Sequence, residues 1–173
     1  MLLRRKTVRM KRQKKLFDFA SAKYVGVLCS PQDELSTEYL KEFLNYLSRK
    51  NIQYYVFGYF DGKKIPENFL YWKGMDFITR NDIDFLFIPK NPIVDKFIRE
   101  PFDMLINCSI DYYFPLEYIS QLSQASCRVG IMHDDKSNYD LMIDIQKNRN
   151  LEYFLKNLEK YLSNLRNQQF EQT

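Results

Sequence analysis

A chain of 173 residues and 21.0 kDa has room for one domain. Apolar residues at 45% and charged residues at 28% form an ordinary globular mixture, which excludes a disordered, collagen-like or cysteine-rich chain. No run of eighteen apolar residues occurs, so no transmembrane helix is expected.

The net charge of +4 conceals an asymmetry. Residues 1–15 carry Arg4, Arg5, Lys6, Arg9, Lys11, Arg12, Lys14 and Lys15, and no acid. Taking these eight from the 26 basic groups leaves 18 against 22 acidic ones, so the remainder carries −4. The reading is a basic arm over 1–19, a single α/β domain over 20–167 and a polar tail over 168–173. A block of like charge serves as an interaction tail for an anionic partner. Phosphate contacts from those eight side chains would release counterions and bind without sequence specificity. The expected partner is RNA or a ribonucleoprotein, ahead of an anionic membrane surface or docking on the acidic body. Apolar residues in the arm are scattered among charges, so no secretory signal is read. Cys29, Cys108 and Cys127 are odd in number and far apart, with no CxxC, which argues against a disulfide framework or zinc site. A reducing cytoplasm fits.

Tyr24–Cys29 is a short apolar run, expected as a buried strand. Ser30 reads as a helix cap, Pro31 suits a first helical position, and Asp33 suits a first turn. The helix over about 33–49 then repeats Leu35, Tyr39, Leu40, Phe43, Leu44 and Leu47 at helical spacing. Ile52–Phe60 is apolar on both alternating faces, the mark of a parallel strand covered by helices on both sides. Residues 61–76 read as an irregular connection, and Asp84–Ile88 as the third strand, stopped by Pro89. Asn91-Pro92 opens a short helix, followed by a strand at Met104–Asn107. Phe114-Pro115 opens another helix, and Cys127–Ile131 reads as the fifth strand. Leu141, Ile143 and Ile145 mark a half-exposed sixth strand, and a helix closes the domain over about 150–167.

Alternating strands and helices with short links imply a three-layer sandwich around a mostly parallel, doubly wound sheet of five to six strands, Rossmann-like or flavodoxin-like. Ligands of such sheets bind outside the carboxyl ends of the strands, where strand order reverses. The candidate crevice residues are Ser30, Asp33, Ser109, Asp111 and His133, with Gly58 permitting close backbone approach. The turn Cys29-Ser30-Pro31-Gln32-Asp33 has no glycine, so neither a dinucleotide fingerprint nor a P-loop forms there. His133 is the sole histidine, and adjacent Asp134 and Asp135 do not by themselves make a metal site. No serine sits in a GxSxG elbow. No cofactor is called. The expected protein is a non-catalytic domain binding an anionic partner through its arm. The alternative is a small-ligand or glycosyltransferase-like domain using the crevice. A third reading is a homodimer or scaffold using Tyr71, Trp72, Tyr112, Tyr113 or Phe114.

The stretches Phe102-Asp103-Met104-Leu105-Ile106-Asn107-Cys108-Ser109, Phe114-Pro115-Leu116-Glu117-Tyr118-Ile119 and Ser126-Cys127-Arg128-Val129-Gly130-Ile131, with the basic leader, the Ala22–Val27 run and Asp140–Ile145, resemble a family of small bacterial α/β proteins of unknown function. That resemblance covers nearly the whole chain and implies no activity. Residues 102–131 alone are also similar to the N-terminal half of heptosyltransferase-type glycosyltransferases. That likeness implies the fold, without the second nucleotide-binding domain such enzymes use.

Overall fold

A computed structural model describes residues 12–133 and 139–170, with side chains through residue 164. Six strands form one all-parallel sheet: β1 Tyr24–Cys29, β2 Gln53–Phe60, β3 Met75–Thr79, β4 Met104–Asn107, β5 Cys127–Ile131 and β6 Leu141–Ile143. Their order is β3-β2-β1-β4-β5-β6, that of a doubly wound Rossmann-like sheet. Helices α1 (Glu34–Arg49) and α4 (Leu151–Phe170) cover one face, and α2 (Pro92–Arg99) and α3 (Phe114–Leu122) cover the other.

Strand side chains alternate between the two layers because their period is two. Val25, Val27 and Cys29 meet Leu40, Leu44 and Leu47 of α1 and Phe154, Leu158 and Leu162 of α4. Leu28, Phe57, Tyr59 and Leu105 face Val94, Phe97 and Ile98 of α2 and Leu116, Ile119 and Leu122 of α3. The central strands are buried on both faces, as their unbroken apolar runs predict.

Two expected features move. The third strand is Met75–Thr79, inside the stretch read as irregular, and Asp84–Ile88 is a tight loop. Asp84 Oδ1 accepts the N–H groups of Leu86 (2.8 Å) and Ile88 (2.9 Å), wrapping the chain on itself. Phe87 adopts a left-handed φ of 60°, and Phe85 and Phe87 point into solvent. The α1 cap is Asp33 rather than Ser30. Asp33 Oδ1 accepts Ser36 N–H (2.7 Å), and Ser36 Oγ accepts Asp33 N–H (3.3 Å), a closed capping box.

The packed body also begins before residue 20. Phe19 is buried against Phe43 and Tyr46, and Phe17 packs on the same cluster. The first strand is tied down nearby: Asp103 Oδ2 accepts N–H from Lys23 (2.7 Å) and Tyr24 (3.0 Å). Asp140 does the same one layer along, its Oδ2 accepting Arg128 N–H at 2.8 Å. In each case a carboxylate just before one strand fastens the start of its neighbour.

Candidate functional site

The order of the sheet reverses between β1 and β4. The loop after β1 turns toward α1 on one face, and the loop after β4 turns toward α3 on the other. A cleft of about 330 Å³ opens there, closed on a third side by the loop leading into α4. Its lining includes Ser30, Gln32, Asp33, Ser36, Tyr39, Ile110, Asp111, Arg149 and Asn150.

The expected crevice residues separate by what their polar atoms already do. Ser30 is nearly buried, donates Oγ–H to Tyr59 C=O (2.7 Å) and accepts from the Gln32 amide (2.7 Å), so its hydroxyl fastens the loop. Ser109 is buried, and its Oγ donates to Asp111 C=O (2.9 Å). Asp33 and Asp111 both line the cleft. The Ser36 backbone N–H holds the Asp33 carboxyl below its ordinary value, so it is ionised at neutral pH. Asp111 Oδ1 pairs with Arg149 Nη2 at 3.3 Å, and both side chains are about three-fifths exposed.

Ser109, Gly58 and His133 are not among the lining residues. A Cβ on Gly58 would sit 2.3 Å from the Phe77 ring, so the bare backbone seats a β3 side chain rather than a ligand. His133 lies at the end of β5, its ring 6.0 Å from that of Tyr112. Asp134 and Asp135 lie outside the described residues. Among the described residues no group of three or more His, Cys, Asp or Glu side chains is placed to hold a metal ion.

A second polar cluster sits under the end of β4. Tyr139 donates its hydroxyl to Glu117 Oε1 (2.6 Å), and Asn107 Nδ2 donates to Tyr139 Oη (2.8 Å) and Glu117 Oε1 (3.1 Å). Asn107 Oδ1 accepts Ser109 N–H (3.1 Å), which joins this cluster to the loop lining the cleft. Burial first, then the Glu117 carboxylate, pushes the Tyr139 phenol well above its ordinary value, so it stays a donor. The thiols of Cys29 and Cys108 are wholly buried at the ends of β1 and β4, and burial pushes Cys29 up to about 12. Neither is poised as a nucleophile.

Arg12, in the basic segment, meets the body at the opposite ends of the strands, where β5 and β6 begin. Arg12 forks onto Asp140, Nη1 to Oδ2 and Nη2 to Oδ1, both at 2.6 Å. Its Nη1 also donates to Ala125 C=O (2.9 Å) and Ser126 C=O (3.2 Å). Burial pushes the Asp140 carboxyl up, but hydrogen bonds from Arg12 and from Arg128 N–H outweigh it and hold the group below its ordinary value. Lys14 Nζ lies 3.4 Å from Asp140, and Lys15 stands 4.9 Å over the Phe17 ring. Arg12 thus fastens the arm to the body. Arg4, Arg5, Lys6, Arg9 and Lys11 lie outside the described residues.

Gln32, Ser36, Tyr39, Ile110, Arg149 and Asn150 join the cleft without being among the crevice residues expected from the sequence. The one local signal was Asn150, which caps α4 by accepting Tyr153 N–H (2.8 Å). Among the described residues no helix is long and apolar enough to cross a membrane. No curated protein and no solved structure matches the chain. Nothing in the comparisons bears on the segmental likeness to glycosyltransferases. The family model for DUF6913, a family of unknown function, matches residues 2–165 and so takes in the sheet, both helical layers, the cleft and most of the arm: the chain belongs to that family.

Proposed function

We propose that this protein is a binding domain that takes a small polar molecule into the cleft between the β1–α1, β4–α3 and β6–α4 loops. The observation that carries the reading is the coincidence of that cleft with the point where strand order reverses, the ligand position of doubly wound sheets. A cleft of about 330 Å³ is at the small end of ligand pockets, too small for a dinucleotide. The turn after β1 supports the same conclusion, because without glycine its backbone cannot cradle a pyrophosphate. The two cleft serines, Ser30 and Ser36, both commit their hydroxyls to backbone carbonyls, of Tyr59 and Asp33, which favours binding over catalysis. A thermal-shift panel of sugars, nucleotides, amino acids and polyamines tests the reading. At least one compound should raise the melting temperature of the wild type and fail to do so with Asp111→Ala or Asp33→Ala. A panel in which every shift survives both substitutions would overturn it.

A second reading rests on the charge split of the chain, eight basic groups and no acid in residues 1–15. In it, Arg4, Arg5, Lys6, Arg9 and Lys11 contact the phosphates of RNA or a ribonucleoprotein, and Arg12 holds the arm to the body. Co-sedimentation with RNA should fall steeply with salt and vanish on deletion of residues 1–11. Salt-insensitive binding by the truncated chain would exclude it.

A further inference from the structure

We infer that the molecule taken by the cleft is a zwitterion, an α-amino acid whose ammonium meets Asp33 and Asp111 and whose carboxylate meets Arg149. The inference rests on the cleft being a ligand site and adds the chemical class.

The charged groups of the cleft argue by exclusion and then by match. Its lining holds two carboxylates and one guanidinium. A phosphate or other simple anion would face both carboxylates, and a simple cation would face Arg149. A neutral sugar would leave the Asp111–Arg149 pair unused. That pair is single, long at 3.3 Å, and exposed on both sides. Such pairs contribute about 0–1 kcal/mol, so it opens at little cost. Opening it leaves opposite charges facing one cavity, which is what the two ends of an α-amino acid require.

The surroundings reinforce each end. Asp33 lines the same cleft as Asp111 and is ionised by its bond from Ser36 N–H. Arg149 lies one residue before the Asn150 cap of α4, a twenty-residue helix whose N-terminal dipole adds positive potential for a carboxylate. The same lining includes Leu35, Ile110 and Tyr39. The Tyr39 hydroxyl already donates to Glu152 (3.0 Å), so Tyr39 contributes its ring to the cavity. These three make an apolar wall for the ligand side chain.

The test uses the full chain, isotopically labelled, with backbone amide shifts read during titration. The probes are pools of L-amino acids, then glucose and inorganic phosphate. The expected result is movement of the Asp33, Asp111 and Arg149 amides with an amino acid. For that amino acid, the methyl ester and the N-acetyl derivative should each bind roughly tenfold more weakly or worse, since each removes one charge-assisted contact. Arg149→Ala should weaken the free amino acid by a similar factor and leave the methyl ester unaffected. Arg149 is exposed, so folding of the variant is not at issue, and its melting temperature checks this. If glucose or phosphate moves the cleft amides and amino acids do not, the class is wrong and the site stands. If no probe moves them, the class is overturned, and the thermal-shift panel with nucleotides and polyamines decides separately whether the site stands. Equal binding of an amino acid and its ester overturns the role of Arg149.

Discussion

Arg12 and Asp140 are 128 positions apart, and their side chains are only 7% and 12% exposed. A bidentate pair this deep is strong because each partner would otherwise be a buried charge. Arg12→Ala leaves Asp140 with the Arg128 N–H, the charge of Arg128 and the exposed Lys14, and should cost about 3 kcal/mol. At this chain length the melting temperature falls by roughly 6–12 °C, measurable by calorimetry. The pair also predicts an acid limb. Because the folded carboxyl is lowered, its contribution is complete above about pH 4 and disappears as pH falls through the folded value. The wild type should therefore lose more stability than Arg12→Ala between pH 5 and pH 2 (a range of about three units, set by ordinary carboxylate titration). Gly58 makes the complementary steric case. Gly58→Ala drives a methyl into the Phe77 ring and should cost about 1–3 kcal/mol in urea unfolding, with partial recovery on adding Phe77→Leu.

At the scale of elements, strands and helices with strong periodicity were legible, and the error fell on the weakest strand. β3 lies at the sheet edge, with Met75, Asp76 and Phe77 only half buried, so its apolar run is short and interrupted. Asp76 is tolerated there because the Tyr55 hydroxyl donates to it. The Asp84–Ile88 run has the better strand pattern, yet Asp84 takes two local N–H groups and closes a loop. Competition from an Asp side chain for the backbone defeats the propensity of the two phenylalanines. Phe87 pays a conformational cost of about 1–2 kcal/mol for its left-handed backbone, whereas glycine would lose about 0.5–1 kcal/mol through its freer unfolded chain. Phe87→Gly should thus stabilise the protein by about 0.5 kcal/mol, and chemical denaturation can resolve the sign. A loss of stability would mean that the exposed ring makes a favourable contact.

At the scale of the whole molecule, the Arg12 anchor and the cleft lie at opposite ends of the parallel strands. Arg12 sits where β5 and β6 begin, and the cleft sits where β1 and β4 end. The two readings therefore make separable demands. Deleting residues 1–11 should leave the affinity of a cleft ligand within about twofold, as expected for sites without shared contacts. Deleting residues 1–19 also removes the Arg12 clamp and the buried Phe19, whose burial alone contributes about 2 kcal/mol, and should lower the melting temperature well beyond the shorter deletion.

By itself the sequence determined most of the local vocabulary of this protein: the strongly patterned buried strands (β3 excepted), the stripes that make helices, and the separation of a cationic leader from an anionic remainder. Those follow from side-chain period and from charge counting, which need no neighbours. It also excluded a glycine-based phosphate cradle after β1, because backbone access there depends on residue type alone. Only the tertiary structure decided that β1 and β4 are neighbours, since parallel pairing is set by packing across the sheet. That pairing brings Asp33, Asp111 and Arg149 from three distant loops to one cleft. The packing likewise turned Arg12 from one more charge in a basic run into the clamp that holds the arm, because its partner Asp140 comes within reach only when β6 has joined the sheet.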